Sequence, residues 1–473
     1  MNFRKTKIIC TIGPAIENEK MLLKMFDAGM NVARLNFSHG THEESIKRIQ
    51  LIRNVADKAK KHIGIMLDTK GPEIRVGNFE NDSCAYKKGD IVTLFKDEVI
   101  GNSEGFYVNC PEFFTDISIK DELLIDDGKI SLSVIEKDED TVKCKFNNGG
   151  TIKNKKGINV PGVSLSMPFI SDKDYNDIKF GVEQGVDLMA LSFVRRKEDV
   201  LEVRKLLNDL KAPKIEIISK IENQEALDNI DSIIEVSDGI MVARGDLGVE
   251  VATEKVPVYQ KQIIKKANRV GKPVITATHM MESMIDSPRP TRAEASDVAN
   301  AILDGSDAIM LSGESAIGKY PVESVRYMDK IARSVESIID YNAQLLEHQQ
   351  YNNHSLNDAI GACISQCCLT LDNIDAIFAF TETGGTAKRI CKFRPNAPIV
   401  ACTDTPATCR RLSYYWGVYP VVTAYVNDVD DSDGIALQVA KKLNFKEGHN
   451  IILTNGFGQK HGVTNTIRII QVE

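Results

Sequence analysis

The sequence predicts an α/β protein built on a closed (β/α)₈ barrel, with a small β domain inserted into one barrel loop and a separate α/β domain after it. Three observations carry this expectation. Eight apolar runs, each ending in a polar or glycine-containing turn, recur along the first two thirds of the chain and mostly alternate with segments of helical spacing. One interval between consecutive runs is about a hundred residues long, against roughly 25 to 35 for the others. After about residue 345 strands and helices continue to alternate, but with a different character.

The eight runs are "KIICTIGP", "MNVARLNFSHG", "IGIMLDTKGP", "DLMALSFV", "IEIISKIE", "GIMVARGD", "KPVITATHM" and "DAIMLSGES". Strands this continuously apolar need cover on both faces, which a parallel sheet wrapped by helices provides. Between them, Ile46, Ile49 and Ile52 in "ESIKRIQLIRNVADKAKK", and Leu201, Leu206, Leu207 and Leu210 after Phe193, fall at helical spacing. The long interval holds short alternating stretches, "DIVTLFKDEV" and "ISLSVIEKDEDTVKCKF", then "NNGG" before "TIKNKKGINVPG", a pattern of strands and tight turns. The last part contains "DAIFAFTETGGTAKRICKFRP", "APIVACTDTPATCRRLSYYWG" and "HNIILTNGFGQKHGVTNTIRIIQV", each with an apolar strand. The expected division is a barrel over 1–69 and 170–344, an inserted β domain over 70–169 and a C-terminal α/β domain over 345–473, three units for 473 residues.

With 42% hydrophobic and 26% charged residues, the composition is that of a folded, water-soluble chain. The net charge is −7 and the basic residues are scattered, which argues against nucleic acid as a partner. Gly13 and Pro14 interrupt the apolar run at the N-terminus well short of a signal-peptide core, and no later stretch approaches a membrane span, so a cytoplasmic location is expected. Ten cysteines run from Cys10 to Cys409 without a C-x-x-C pair, a pattern that fits reduced thiols better than disulfides or zinc.

In a barrel of this type the chemistry sits at the carboxyl ends of the strands. There the runs gather Arg34, Asn36, Ser38, Asp68, Lys70, Glu73, Arg75, Lys220, Glu222, Arg244, Asp246, Thr278, Ser312 and Glu314. Each one alone has an ordinary reading as a loop charge or structural ion pair; the set on one rim is harder to explain that way. Strand alternation puts Lys220 and Glu222 on one side, and Asp246 follows the neighbouring strand. Two carboxylates with open positions beside a lysine suit Mg²⁺, the other reading being a Lys220–Asp246 ion pair without metal. A metal with Arg34, Lys220 and Arg75 describes a site for a multiply charged substrate, phosphate with carboxylate, and for phosphoryl transfer. His39 and His42 have metal-pair spacing but no third soft ligand nearby.

Taken together, "CTIGPA", "GMNVARLNFSHG", "LDTKGPEIR", "ISKIENQEAL", "DGIMVARGDLGVE", "ITATHMMESM", "PRPTRAEASDVANAILDGSDAIMLSGESA" and "TNTIRI" resemble the pyruvate kinase family, in order and over essentially the whole chain. The resemblance implies transfer of the phosphoryl group of phosphoenolpyruvate to ADP, giving pyruvate and ATP, with Mg²⁺ (or Mn²⁺) and K⁺. It implies that Lys220 stabilises the phosphoryl group in flight and that Glu222 and Asp246 hold Mg²⁺. Arg34 and Thr278 would contact substrate, and the backbone of Ala243, Arg244, Gly245 and Asp246 would cradle its carboxylate. Thr278, with Ser312 and Glu314, would lie on the route that protonates the enolate. Asn36, Ser38, Asp68 and Thr69 match the K⁺ ligands, and Glu73 matches the potassium-dependent variant. Asn36, His39, Arg75 and Lys156 match nucleotide contacts, Lys156 from the inserted domain, which would close as a lid. Thr381, Thr383, Gly384, Gly385 and Thr386 in "TETGGTAKRI" resemble a sugar-phosphate effector loop, with Glu382 an unfavourable carboxylate inside it. A homotetramer is the family expectation, as is a chain without the extra C-terminal domain of some bacterial members. His279 stands where glutamine is usual, which implies a steeper loss of activity in acid, and Ile317 where lysine is common. The competing readings are a Mg²⁺-dependent phosphoenolpyruvate or pyruvate lyase or aldolase on a related barrel, and a catalytically dead metabolite-binding regulator.

Overall fold

A computed structural model describes residues 3–38, 40–351, 355–426, 428–456 and 463–472. Eight parallel strands close into a barrel: β1 (Lys7–Thr11), β2 (Val32–Asn36), β3 (Gly64–Asp68), β4 (Leu188–Leu191), β5 (Glu216–Ile221), β6 (Gly239–Ala243), β7 (Val274–Ala277) and β8 (Ala308–Leu311). Each pairs with its neighbours in sequence, and β8 returns to β1 through Lys7↔Ala308 and Ile8↔Ile309. Seven of the eight are buried at every position, as strands packed on both faces must be. The predicted barrel is therefore the observed one.

Local chemistry starts the surrounding helices. Thr41 with Glu44, Ser171 with Asp174 and Thr291 with Glu294 each form a reciprocal cap at a helix N-terminus, satisfying backbone donors that would otherwise be orphaned. The helix Lys197–Asp209 buries Val200, Val203 and Leu207. Leu201 is 45% exposed, so the apolar stripe begins one residue earlier than the leucine spacing suggests. Leu206 and Leu210 flank that stripe as half-buried contacts.

Between β3 and β4 the chain leaves the barrel to build a seven-stranded sheet, reaching from Ile74–Arg75 to Gly157–Asn159, and a two-stranded ribbon, Ser83–Tyr86 with Gly150–Lys153. Its own core includes Phe106, Phe113, Phe114, Leu132 and Phe146. Beyond the barrel lies a five-stranded sheet in the order Val418–Val422, Ile399–Thr403, Ile374–Phe380, Asn450–Thr454 and Arg468–Gln471, the last antiparallel.

This C-terminal unit plugs the floor of the barrel. Barrel residues Ile9, Met66, Ile218 and Met310 belong to one buried cluster with Ile377, Leu412, Tyr414 and Trp416. Around it, carboxylates at the amino ends of three strands engage cations of the C-terminal unit. Asp187 pairs with Arg410 at 2.9 Å, Asp307 with Arg394 at 2.9 Å, and Glu216 with Lys388. Lys7, 2% exposed at the start of β1, donates to the Val418 carbonyl at 2.6 Å and lies 4.0 Å from the Tyr419 ring centre. Burial, with Arg4 adding to it, pulls its ammonium down to about 7.

Candidate active site

At the carboxyl end of β5 the Lys220 ammonium sits 2.8 Å from Glu222 Oε1 and 3.3 Å from Asp68 Oδ1 of β3, and donates to Ser192 Oγ at 2.7 Å. Lys220 is 8% and Glu222 1% exposed. Two residues apart at a strand end, they share one side, as alternation requires. Burial alone would strip the lysine of its proton, but Asp68, Glu222 and Asp246 outweigh it and raise its pKa, so the charge is held. Burial pushes the Glu222 carboxyl up; Lys220 works against that shift and Asp246 adds to it. The influence of Asp246 on both groups is the electrostatic mark of a second carboxylate nearby.

One Glu222 oxygen, Oε2, accepts from the Phe193 N–H at 2.5 Å. The other, Oε1, is buried and makes no hydrogen bond, since its approach to Lys220 is close but poorly aligned. A bare carboxylate oxygen inside a protein is costly unless something binds it. Oε1 with Asp246, which lines the open cleft beyond, fits a hard divalent ion that takes one or two protein carboxylates and otherwise water and substrate oxygens. Among the described residues no cluster of three or more His, Cys, Asp or Glu ligands occurs, so a closed structural-metal cage does not compete with that fit.

Asp246 belongs to the short helix Arg244–Glu250 that follows β6 directly. The Gly245 N–H donates to Thr278 Oγ1 at 2.7 Å. A Cβ on Gly245 would stand 3.2 Å from that oxygen, so glycine permits this close approach. Thr278 and His279 have φ of +64° and +51°, a left-handed conformation that is costly for a β-branched residue. The Arg244 guanidinium holds this turn: it pairs with Asp297 at 2.7 Å and donates to the Thr278 carbonyl at 2.9 Å. Its side chain is thus committed to the loop. Glu314 braces the same rim, accepting from Met281 N at 3.1 Å and Ser312 N at 2.8 Å, while the buried Ser312 hydroxyl has no hydrogen bond.

Arg34 lies on β2 with its Nε 2.6 Å from Asp68 Oδ2. Arg34 and Lys220 overcome the burial of Asp68 and hold its carboxyl below the usual range. Asn36 accepts from Ser38 N at 3.1 Å, and Thr69 Oγ1 accepts from Ser192 N at 3.2 Å. Asp68 therefore already serves two cations, yet a carboxylate has about four lone-pair positions and can offer one more. Asn36, Ser38 and Thr69, also at the ends of these two strands, carry oxygen donors of the type a hard monovalent ion takes.

A cleft of about 500 Å³ separates the inserted domain from the barrel and is lined by Arg75, Lys156, Asp126, Glu225 and Asp246 among others. Arg75 pairs with Glu73 at 2.6 Å and Lys156 with Asp126 at 2.6 Å. Across the cleft Asn159 donates to Glu250 at 2.7 Å and Ser164 to Glu225 at 2.8 Å. His39 lies outside the described residues. His42 is 2.7 Å from Asp177 and stacks on Phe180 at 4.2 Å, the environment of a structural histidine.

In the C-terminal unit, Gly384 has φ of +94° and caps the helix Gly385–Lys392. Thr381 Oγ1 accepts from Gly384 N at 3.0 Å, and Thr386 is buried against Thr464 at 3.2 Å. Thr383 and Glu382 are exposed. Of the proposed loop residues, then, Thr386 turns inward.

Ser192 and Phe193 escaped the sequence reading, although "ALSFV" puts a hydroxyl at the end of β4, where rim chemistry is expected. Phe193 has φ of +56°, and nothing in its residue type announces that.

A closed barrel with a held ammonium, two converging carboxylates and an inserted domain over the same rim defines an enzyme acting on a highly charged substrate. Family models described as the barrel domain and the alpha/beta domain of pyruvate kinase match residues 3–325 and 358–470. The chain is 51% identical to a pyruvate kinase of Bacillus licheniformis, over 99% of this chain and 80% of that one. It is 48% identical to one of Geobacillus stearothermophilus, over 98% and 80%. The crystal structure of a pyruvate kinase from Cryptosporidium parvum superposes with a TM-score of 0.95 at 40% identity, covering 99% of this chain and 96% of that one. The chain belongs to the pyruvate kinase family and is a phosphotransferase. Among the described residues no helix is long and apolar enough to cross a membrane.

Proposed function

We propose that this chain moves the phosphoryl group of phosphoenolpyruvate to ADP, giving pyruvate and ATP, with Lys220, Glu222, Asp246, Arg34 and Thr278 at the reacting centre. The observation that carries this reading is the buried, charged Lys220 beside a Glu222 oxygen that makes no hydrogen bond. In the reaction the bond from the enol oxygen to phosphorus breaks, a bond from a terminal ADP oxygen to phosphorus forms, and the methylene carbon of the enolate takes a proton. Charge spreads over the phosphoryl oxygens in between, and a fixed ammonium in a dry site meets it without reorganising. Mg²⁺ held by Glu222 Oε1 and Asp246 would add charge neutralisation on the substrate oxygens. Arg34 anchors phosphate, and the N–H groups at Gly245 and Asp246 receive the carboxylate, Thr278 releasing the Gly245 N–H as it does so. The Thr278 hydroxyl then stands on the side from which the enolate carbon is protonated.

Arg75 and Lys156 both line the cleft from the inserted domain, a place from which polyphosphate charge is gripped. Closure of the inserted domain over them excludes water that would divert the phosphoryl group. The Asn36, Ser38, Asp68 and Thr69 oxygens would hold K⁺. The loop from Thr381 to Thr386 receives a phosphorylated effector, and a saturation curve with and without fructose 1,6-bisphosphate tests it, Glu382 weighing against that compound. A homotetramer in the cytoplasm completes the reading, and the solution mass tests the assembly.

The experiment is pyruvate formation from phosphoenolpyruvate and ADP, coupled to lactate dehydrogenase. Lys220→Met is expected to lower kcat by about 10³-fold or more while the chain still folds. A parent that makes no pyruvate under this assay, or a fully active Lys220→Met, overturns the reading.

A further inference from the structure

Three groups surround the Lys220 ammonium: Glu222 Oε1 at 2.8 Å and Asp68 Oδ1 at 3.3 Å as ion-pair contacts, and Ser192 Oγ, to which it donates a hydrogen bond at 2.7 Å. The first two partners are carboxylates and the third is neutral. Attraction between opposite charges in a buried site is stronger than the pull of a neutral hydroxyl, so the serine is the partner most easily exchanged. Ser192 is itself locked. It is 3% exposed, its hydroxyl donates to the Thr69 carbonyl at 2.7 Å with Asp68 Oδ1 at 3.2 Å, and its oxygen is thereby left to accept from the lysine. Behind it, a Cβ on Gly71 would fall 2.7 Å from the Ser192 carbonyl oxygen, so the chain after β3 presses directly against this residue.

The next residue, Phe193, is held at φ of +56°, a conformation that a bulky side chain adopts only when its surroundings impose it. There its N–H reaches Glu222 Oε2 at 2.5 Å. Adjacent residues of one turn thus grip both members of the reacting pair, the side chain of one on Lys220 and the backbone of the other on Glu222.

We propose that Ser192 is a positioning residue for phosphoryl transfer: its hydroxyl oxygen keeps the Lys220 ammonium from collapsing onto the two carboxylates and is the partner that gives way when a phosphoryl oxygen arrives. This rests on the reading of Lys220 given above. Without the hydroxyl the ammonium has two anions and no counterpull, and it settles away from the path of the phosphoryl group. A displacement of about 1 Å in such a group costs up to about a hundredfold in rate. Substrate binding, which leans on Arg34 and on backbone N–H groups elsewhere, is expected to change little.

A merely structural serine predicts something else, and two half-reactions separate the cases. Phosphoryl transfer needs Lys220 in place. Exchange of the methyl protons of pyruvate with solvent deuterium, in which a C–H proton leaves to solvent and a deuteron returns to the same carbon, needs the enolate site but moves no phosphorus. For Ser192→Ala we expect kcat for transfer to fall roughly 10- to 100-fold, KM for phosphoenolpyruvate to stay within about twofold, and deuterium exchange, measured by proton NMR, to stay near the parental rate. Ser192→Thr, which restores the hydroxyl, recovers most of kcat. Ser192→Cys keeps the volume and weakens the acceptor, and it carries the same test if the alanine variant does not fold. Parental kcat in the alanine or cysteine variant overturns the inference, as does an equal fall in transfer and exchange, the mark of a loosened site. A parent inactive in the coupled assay fails the reading of the site itself, a separate result from either.

Discussion

Replacing Lys7 with methionine removes a titratable ammonium from a buried part of the contact between barrel and C-terminal unit, at nearly constant side-chain length. Burial pulls this ammonium from an ordinary 10.5 to about 7. The groups that face it are Arg4, Glu336, Cys391 and the Tyr419 ring, together with the Val418 carbonyl. Below pH 7 the lysine is charged in both folded and unfolded chains, and the folded chain bears the whole desolvation penalty, about 5 kcal/mol for a fall from 10.5 to about 7. Between pH 7 and 10.5 the unfolded chain binds more protons than the folded one, so stability rises with pH and the penalty shrinks by about 1.4 kcal/mol per unit. Methionine carries no such penalty, but it leaves the Val418 carbonyl without its donor, an offset of about 1 to 3 kcal/mol that does not vary with pH. The stability of Lys7→Met relative to the parent is therefore expected to be about 2 kcal/mol more favourable at pH 6.5 than at pH 8.5. Urea unfolding followed by Trp416, the single tryptophan of the chain and a member of this very contact, measures it. A difference that is flat across those two pH values refutes the argument, whatever its sign.

Gly71→Ala forces a Cβ to 2.7 Å from the Ser192 carbonyl at a φ of +71°, and is expected to cost about 2 kcal/mol and to lower kcat with it, checked by unfolding midpoint and coupled assay. Arg394→Met leaves Asp307 buried without the two 2.9 Å bonds it now accepts; a loss of about 3 to 5 kcal/mol is expected, with earlier proteolysis of the C-terminal unit. Omitting K⁺ from the coupled assay, with tetramethylammonium in its place, is expected to lower the rate at least tenfold, on the ground that Asp68 and its neighbours offer only oxygen donors; full activity without potassium removes that assignment.

Much of this molecule is legible in its sequence because the barrel strands are apolar from end to end and then break abruptly into charge, as in "IEIISKIE" and "GIMVARGD". That contrast announces both the fold and the rim. The pairing of Lys220 with Glu222 follows from their spacing alone. Its third companion, Asp68, lies more than a hundred residues away, and nothing local joins the two. Ser192 was hidden for the opposite reason: a serine after an apolar run looks like ordinary turn chemistry, and its role depends on the lysine above and the glycine behind. Leu201 shows how a leucine-rich helix can mislead when valines form the buried face. The inserted domain was recognisable by its alternation, but strands as short as Gly105–Tyr107 and Ile74–Arg75 exist through partners rather than pattern. At the barrel floor, Asp187, Glu216 and Asp307 read as unremarkable charges before apolar strands, since their cations come from the far end of the chain.

That last arrangement bears on how the protein is born. The ribosome delivers the stopper after the vessel: at ordinary elongation speeds the nascent barrel waits on the order of ten seconds for the remaining stretch to emerge. During that time its base is greasy and ringed with unmated acids, a patch suited to a chaperone's grip. Full maturation is thus postponed until the C-terminal unit has been made.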